Sequence, residues 1–276
     1  TFHQLDLNRH MHQIVELLDS FKPHYVVNFA AQSEVAPSWS HPEQWFQTNV
    51  VALAALMNEL RDRSYFKKYV HISSPEVYGP CEGTVTETAP MNPSTPYAAS
   101  KAAADLFLST LVQNFRFPLI TIRSTNVYGA RQQLWKIIPR SVIYLKMGKT
   151  IQLHGGGAAV KSYVHIRDVS KGELAAMENG RLGNTYHLSP EKGYSVRDVV
   201  RNICELMGQE FESATATTNE RLGQDAAYVI DSGKARNELD WSPCVSVEDG
   251  LAEVVRWVDQ NWEEIKEMPL EYSHRP

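Results

Sequence analysis

The sequence predicts an α/β fold in which a doubly wound, mostly parallel sheet is joined to a smaller α+β lobe. Two observations lead to this class. Apolar strand-like runs alternate with amphipathic helical segments as far as about residue 130, which is typical of parallel βαβ units. Beyond that residue the alternation becomes irregular, and glycines indicate turns between short strands. We therefore predict one domain over residues 1–130 and a second over 131–276, with part of 160–190 returning to the sheet.

Six segments of the first domain carry the pattern of a helix or of a buried strand. In chain order they are a helix over 10–21, a strand over 24–31, a helix over 42–61, a strand over 67–74, a helix over 97–115 and a strand over 118–125. The strand over 24–31, HYVVNFAA, is a continuous apolar run, as expected of a strand buried on both faces of a sheet. The carboxyl ends of parallel strands meet at one edge, where open α/β sheets bind their ligands.

The second domain contains three longer helical segments, which we place over about 134–147, 195–208 and 246–268. The stretch GKTIQLHGGGAAVKSYVHIRD after the first of them predicts short strands that are separated by glycine turns. We interpret this half of the chain as a substrate lobe whose segments interleave with the sheet domain.

Composition and charge exclude several classes of protein. The net charge of the 276-residue chain is −5 and its acidic and basic residues are interspersed, so we predict neither a nucleic-acid-binding face nor a basic membrane patch. No apolar run of the sequence approaches the roughly 20 residues that span a bilayer. The three cysteines, Cys81, Cys204 and Cys244, lack the spacing of a metal site. We therefore expect a reduced, cytoplasmic protein without a metal ion.

Residues with acid–base chemistry follow the strand over 67–74. The strand ends in Ser73 and Ser74, and Glu76 comes two residues later. Tyr97 and Lys101 lie four residues apart at the start of a predicted helix, so they share one helix face. A tyrosine and a lysine at this spacing also occur by chance as an ordinary surface pair. The flanking segments have to decide between the two interpretations.

Several segments resemble the extended short-chain dehydrogenase/reductase family, and within it the nucleotide-sugar 4,6-dehydratases, especially those of the dTDP-glucose type. In chain order they are FAAQSEVAPSWSHPEQWFQTNV, SSPEVYG, NPSTPYAASKAAAD, RSTNVYGARQQLWKIIP, VKSYVHIRDV and ERLGQDAAYVIDSGKARNELDW. The resemblance covers essentially the whole chain. It implies a Rossmann-type sheet, a tightly held NAD and a nucleotide-diphosphate sugar as substrate. The implied activity is that of a lyase that forms a 4-keto-6-deoxy sugar by transient oxidation.

The resemblance assigns catalytic roles to four residues. Tyr97 would take the proton of the sugar's C4 hydroxyl, and the charge of Lys101 would favour the Tyr97 phenolate near neutral pH. Ser74 would bind the reacting oxygen. Glu76 would remove the proton from C5, after which water leaves from C6 and the hydride returns there.

The same resemblance places further residues at the cofactor and at the substrate diphosphate. Contacts with NAD are expected from Asp6, Leu7, Ala30, Ala31, Ser33 and Ser73, together with Tyr97 and Lys101. The expected diphosphate clamp consists of Asn126, Lys136, Lys161 and Arg221. Lys161 stands where the family usually has arginine, and a lysine offers a point charge instead of a bidentate fork.

Two features depart from the family pattern. A glycine-rich dinucleotide fingerprint is expected on a strand before FHQLDL, and the sequence does not contain it. We therefore expect the first strands of the sheet to be missing, and with them the helix N-terminus that anchors the cofactor pyrophosphate. Pro75 stands where the dTDP-glucose enzymes have aspartate. The proton for the leaving hydroxyl would then come from Glu76 itself or from an ordered water.

Three alternatives remain open at this point. The pattern SxE followed by VYG also occurs among UDP-glucuronate decarboxylases, and a 4-epimerase of the same family needs no base at C5. A third alternative is a non-catalytic sugar-nucleotide-binding protein, which Pro75 and the missing fingerprint favour.

A homodimer is also expected, because the helices over 42–61 and 97–115 carry apolar residues beyond one face. Members of the family pair these helices with their symmetry mates in an isologous contact. The residues concerned are Phe46, Val50, Leu53, Leu56, Leu106, Leu108 and Leu111.

Overall fold

The computed structural model describes residues 1–80, 83–219 and 229–274 of the chain. The helices are α1 (Met11–Phe21), α2 (Pro42–Phe46), α3 (Leu53–Leu60), α4 (Pro96–Phe115), α5 (Ile137–Lys146), α6 (Ile166–Asn179), α7 (Val196–Leu206), α8 (Phe211–Ala214), α9 (Gly233–Leu239), α10 (Val247–Gln260) and α11 (Trp262–Ile265). The strands are β1 (Tyr25–Asn28), β2 (Lys68–Ile72), β3 (Thr84–Val85), β4 (Leu119–Ser124), β5 (Asn126–Tyr128), β6 (Ile151–His154), β7 (Val160–Lys161), β8 (Tyr163–His165), β9 (Asn184–Leu188), β10 (Tyr194–Ser195), β11 (Thr215–Thr218) and β12 (Val229–Ile230).

The main sheet has four parallel strands in the order β1-β2-β4-β9. Helices cover both of its faces. Successive side chains of a strand point to opposite faces, and on β2 Tyr69 therefore packs with α1, α3 and α4 while Val70 packs with α6 and α9. Three of the smaller strand pairs are parallel and one, β7 with β10, is antiparallel. The predicted mostly parallel α/β class is confirmed.

The expectation that the strand over 24–31 is buried on both faces is wrong. In β1 the side chains of Tyr25 and Val27 are 39% and 38% exposed, and only Asn28 is buried. The physical reason is that β1 lies at the edge of the sheet. Within the described residues β2 is its one hydrogen-bonded neighbour, and a strand with one neighbour has less apolar surface to pack against.

The predicted helix over 42–61 is present, but it contains a wide turn that the sequence did not indicate. Between α2 and α3 the residues Gln47–Ala52 form a π-helical turn. The turn holds the buried side chain of Asn49, whose amide accepts from the backbone N–H of Gln32 at 2.8 Å and donates to the Ser100 hydroxyl at 2.9 Å. Asn49 thereby ties the loop after β1 to the helix α4.

The second lobe is held together by a separate apolar cluster. Helices α5, α7 and α10 pack around β5 and β8 through residues such as Ile138, Val199 and Leu251. The helix predicted over 246–268 is found as α10 and α11, and α10 is held so closely that a Cβ atom on Gly250 would meet the Tyr128 hydroxyl at 2.1 Å. The strand β9 pairs with β4 in the main sheet, so the chain crosses back to the first lobe.

The described residues contain neither a membrane-spanning helix nor a cluster of metal ligands. None of the described helices is long and apolar enough to cross a bilayer. In the same parts of the chain no cluster of three or more His, Cys, Asp or Glu side chains is arranged to hold a metal ion.

Candidate active site

The carboxyl end of β2 leads directly into the segment that carries the candidate catalytic residues Ser74 and Glu76. Ser74 is the N-cap of a 3₁₀ turn over Pro75–Tyr78, and its hydroxyl accepts a hydrogen bond from the backbone N–H of Glu76 at 3.2 Å. Proline suits the first position of such a turn because its missing N–H is not needed there. The turn therefore fixes Glu76 next to Ser74 at the edge of the sheet where parallel strands end.

The amino end of α4 supplies the second catalytic segment. Thr95 caps the helix by accepting from the N–H of Ala98, and the Ser38 hydroxyl accepts from the N–H of Tyr97 at 3.2 Å. Tyr97 and Lys101 are buried, with 9% and 3% of their surfaces exposed. The Lys101 ammonium donates to the carbonyl oxygen of Ile72, the last residue of β2, at 2.7 Å. This bond holds α4 against the strand that carries Ser73 and Ser74.

The electrostatics of Tyr97 differ from the expectation of a phenolate near neutral pH. Burial raises the pKa of the Tyr97 hydroxyl well above its usual range, and the negative charge of Glu76 raises it further. A hydrogen bond with Ser74 acts in the opposite direction. In the protein alone Tyr97 is therefore protonated at neutral pH.

Lys101 is affected by burial as well. Its removal from water lowers the pKa of the Lys101 ammonium to about 8, and the charge of Asp105 acts against this shift. The ammonium is consequently charged at neutral pH but loses its proton only slightly above it.

The residues expected at the cofactor lie at the carboxyl end of β1 and before α1. Ala30 is exposed and Ala31 is half-buried, and the N–H of Ala30 donates to the Asn28 side chain at 3.1 Å. Asp6 accepts from the N–H of Asn8 at 2.7 Å, and Leu7 packs partly against the apolar cluster under α1. The small side chains of the two alanines take up little room at this edge of the sheet. The contacts of these residues with NAD stay a prediction.

Ser33 and Ser73 have different surroundings. Ser33 is exposed on the loop after β1. The Ser73 hydroxyl donates to the carboxylate of Asp105 at 2.6 Å, so its proton is used inside the protein. A contact of Ser73 with NAD would have to use the remaining lone pairs of the hydroxyl oxygen.

The residues expected in the diphosphate clamp lie on several segments. Asn126 begins β5 and is the register partner of Tyr163, two residues beyond Lys161. The Lys136 ammonium forms a 2.8 Å ion pair with Glu34. Arg221 lies outside the described residues.

Sequence reasoning missed two carboxylates next to the expected site. Glu34, on the loop after β1, accepts from the Trp135 indole at 3.0 Å as well as from Lys136. The pair joins the cofactor side of the cleft to the segment before α5. Asp105 is buried one helical turn after Lys101. The spacing of a lysine and an acid four residues apart on one helix could have indicated Asp105.

Comparison with known proteins identifies the family. The model of the family described as GDP-mannose 4,6 dehydratase matches residues 1–254. The chain belongs to this family. A dTDP-glucose 4,6-dehydratase of Xanthomonas campestris pv. campestris is 32% identical to the chain over 271 residues, which cover 90% of the chain and 77% of the relative.

Solved structures of similar proteins agree with this assignment. DesIV from Streptomyces venezuelae is a dTDP-glucose 4,6-dehydratase whose structure was solved with NAD bound. It matches the present structure with a TM-score of 0.89 at 32% identity, covering 95% of the chain and 80% of DesIV. A UDP-glucuronic acid 4-epimerase from Bacillus cereus matches with a TM-score of 0.88 at 24% identity, covering 94% and 82%, which shows a shared fold. The predicted family and fold are confirmed, and these relatives support a nucleotide-sugar 4,6-dehydratase that uses NAD.

Proposed function

We propose that the protein is a nucleotide-sugar 4,6-dehydratase of the dTDP-glucose type, which converts its substrate to the 4-keto-6-deoxy sugar. The observation that carries the proposal is the position of a carboxylate, Glu76, in the turn capped by Ser74, near enough to Tyr97 for its negative charge to raise the pKa of the Tyr97 hydroxyl. Dehydration requires two proton acceptors on one sugar, one at the C4 hydroxyl and one at C5. The charge of Glu76 is the largest charge that acts on Tyr97, which supports a shared substrate space.

Each step has a residue of this chain that can move the proton. Tyr97 accepts the proton of the C4 hydroxyl, and Ser74 binds the oxygen that carries it. When bound, NAD would supply the hydride-transfer chemistry at C4 and C6. Lys101, held at the end of β2, keeps a positive charge next to the Tyr97 phenolate as it forms.

Glu76 performs the elimination. Oxidation at C4 acidifies the C5 hydrogen, and Glu76 takes that proton while the C6 hydroxyl leaves. Pro75 has no ionisable side chain, so the proton that Glu76 has just accepted is the one it passes to the leaving hydroxyl. The Glu76 carboxylate thus accepts the proton from C5 and donates it to the C6 hydroxyl, which departs as water.

The proposed diphosphate contacts come from both lobes. Asn126 in β5 pairs with Tyr163 of β8, two residues after Lys161 in β7, and Arg221 joins the proposed clamp by resemblance. Lys136 can take part only by exchanging its ion pair with Glu34 for one with the diphosphate. Both partners of that pair are partly exposed, and such pairs contribute only about 0–1 kcal/mol. The exchange is therefore inexpensive.

The alternative activities are a 4-epimerase and a decarboxylase of the same family. Both need Tyr97, Lys101 and the ketone at C4, and neither needs a base at C5. The position of Glu76 in the turn capped by Ser74 therefore favours the dehydratase over the 4-epimerase. The same SxE pattern also occurs among decarboxylases, so the product has to distinguish that alternative.

Product analysis tests the proposal. The protein is incubated with NAD and dTDP-glucose, and in parallel with UDP-glucose, GDP-mannose and UDP-glucuronate, and products are identified by NMR. The expected product from a hexose substrate is the 4-keto-6-deoxy sugar. Carbon dioxide or an inverted C4 alcohol would replace the proposal by one of its alternatives. A binding protein would give no product with any substrate, and Tyr97→Phe provides the matched inactive control.

We also propose that the protein forms a homodimer through the helices α2, α3 and α4. Exposed large apolar side chains on these helices and their π-helical turn are Phe46, Val51, Leu106 and Phe115, with 58% of the surface of Leu106 exposed. Four of the residues expected in this contact are instead buried in the protomer's own core, namely Leu53, Leu56, Leu108 and Leu111. The proposed contact is therefore narrower than the sequence indicated.

Two further proposals concern location and domain organisation. A cytoplasmic location is supported by Cys204 and Cys244, which are unpaired thiols in the described part of the chain. We propose a domain boundary near residue 130, and we propose that α6 and β9 form the segment that returns to the sheet domain. Both pack with β4 in the sheet domain.

A further inference from the structure

A buried carboxylate lies beneath the proposed catalytic pair. Asp105 follows Lys101 by one turn of α4, and 6% of its surface is exposed. Its Oδ2 atom accepts from the Ser73 hydroxyl at 2.6 Å and from the Arg123 guanidinium at 2.7 Å. The ring of His71 lies with Nε2 at 3.6 Å from the other oxygen, which is too long for a hydrogen bond.

The cluster continues away from the cleft through neutral groups. The hydroxyl of Tyr78 contacts Arg123 and lies 2.7 Å from Nε2 of His187. Burial, together with the charges of Lys101 and Arg123, lowers the pKa of His71 well below its usual range, so this ring is neutral at pH 7. Burial lowers the pKa of His187 to about 3. Among the described residues, the fully buried charges of the cluster are therefore two cations, Lys101 and Arg123, and the anion Asp105; the carboxylate of Glu87, partly buried, contacts His187 at its far end.

We propose that Asp105 is a positioning residue of the catalytic site, whose carboxylate keeps the buried Lys101 ammonium charged and holds Ser73 at the end of β2. Its importance for catalysis rests on the proposed function, because a charged Lys101 is needed only where Tyr97 acts as a base. The assignment goes beyond that function by giving a role to a residue that reaches neither sugar nor cofactor.

The physical argument is a balance between burial and charge. Removing an ammonium from water favours its neutral form, and an opposite charge nearby restores the charged form. Without Asp105, Lys101 would share the interior with Arg123 and with no buried anion of this cluster. Lys101 would then lose its proton at a lower pH. The proposed support of the Tyr97 phenolate by Lys101 would then be lost, and this support acts against the Asp105 carboxylate, whose own charge raises the pKa of Tyr97.

Other titratable groups surround Lys101 and Asp105 on the elements that pack against this part of α4. They are Tyr97 on α4, His71 on β2, Arg123 on β4, Glu76 and Tyr78 on the 3₁₀ turn, and Glu34 on the loop after β1. Of the described residues, Asp105 is the one whose charge raises the pKa of Lys101. A change at Asp105 should therefore be felt at Lys101 more strongly than a change at any of the others.

The test measures the titration of Lys101 directly by NMR of protein labelled at lysine Cε, with the signal assigned by its loss in Lys101→Arg. In Asp105→Asn the titration should move down by about one pH unit or more. Asp105→Glu should restore it. Ser73→Ala is the matched control, because it removes a hydrogen bond of Asp105 and keeps the charge, and the midpoint should stay within a few tenths of a pH unit.

A second variant covers the possibility that Asp105→Asn fails to fold. Removing one partner of a buried ion pair is strongly destabilising, whereas replacing both partners is often tolerated. The double variant Asp105→Asn/Arg123→Met should therefore fold, and its downward shift should be smaller than in Asp105→Asn because the repulsion from Arg123 is removed as well. An unchanged Lys101 midpoint in folded Asp105→Asn, or an upward shift that is as large in the double variant as in Arg123→Met alone, would overturn the proposal. Because the titration needs neither substrate nor cofactor, a protein that shows the shift but forms no product would refute the proposed function alone.

Discussion

The replacement of Glu76 by glutamine tests the proposed chemistry most directly. Glutamine keeps the shape of the side chain and the helix-like turn, whose capping bond uses the backbone N–H of residue 76. It removes the proton affinity. Loss of a general base typically costs about 10²–10⁴-fold in rate, which corresponds to about 2.7–5.4 kcal/mol of barrier. Oxidation at C4 does not use this carboxylate, so the loss should fall on the elimination.

The structure also predicts a change in the first step. Glu76 raises the pKa of Tyr97 through its charge, so Glu76→Gln should lower that pKa and allow oxidation at a lower pH than in the parent protein. Stopped-flow absorbance at the NADH wavelength, with NAD and dTDP-glucose supplied, should show a rise that persists instead of decaying. Little 4-keto-6-deoxy product should form, and exchange of the C5 hydrogen with deuterated solvent should fall by a similar factor.

Tyr97→Phe provides the contrasting control. It should abolish the NADH signal itself, because the first proton transfer fails. Turnover of Glu76→Gln near the parent rate would refute the mechanism, and the 4-epimerase, which asks nothing of this carboxylate, would then be the better assignment.

Three further predictions follow from the proposed clamp, the buried lysine and the exposed helix face. Arg221→Ala should raise KM and leave kcat largely intact, because a cation on a diphosphate acts alike in the ground and transition states; a fall in kcat at constant KM would contradict the assignment. The pKa of Lys101 is about 8, so kcat should fall as the pH rises through that value. Over the same range the contribution of Lys101 to the free energy of unfolding should rise, because the unfolded chain binds the additional proton; denaturant titrations at several pH values measure it. Leu106→Glu should convert the proposed dimer to a monomer in light scattering at micromolar concentration, whereas Leu182→Glu, an exposed leucine outside these helices, should leave it dimeric.

Local sequence patterns predicted the elements that depend on local chemistry. The helix expected over 97–115 is found over Pro96–Phe115, because Thr95 caps it, proline suits its first turn and alanines fill its interior. The serines and Glu76 could likewise be placed at a strand end. Burial of β1 could not be predicted, because an apolar run is the same whether a strand has one neighbour or two.

Contacts between distant segments set the other limit. The bond between Trp135 and Glu34 joins residues 101 positions apart, and it depends on how the second lobe sits against the loop after β1. No pattern within either segment indicates it. The same holds for Arg123 and Asp105, which lie on different elements. The prediction of Lys136 as a diphosphate ligand did not include a competing carboxylate, since that competitor is brought close only by the fold.

The two pKa shifts at the centre of the site have a joint consequence. Burial raises the pKa of Tyr97 and lowers that of Lys101 to about 8. In the protein alone the Tyr97 hydroxyl is therefore protonated, and the Lys101 ammonium loses its proton only slightly above neutral pH. Glu76 adds to the effect on Tyr97. A further positive charge beside Tyr97 would favour the phenolate. We therefore expect Tyr97 to act as a base only after bound ligands have changed the charge around its hydroxyl.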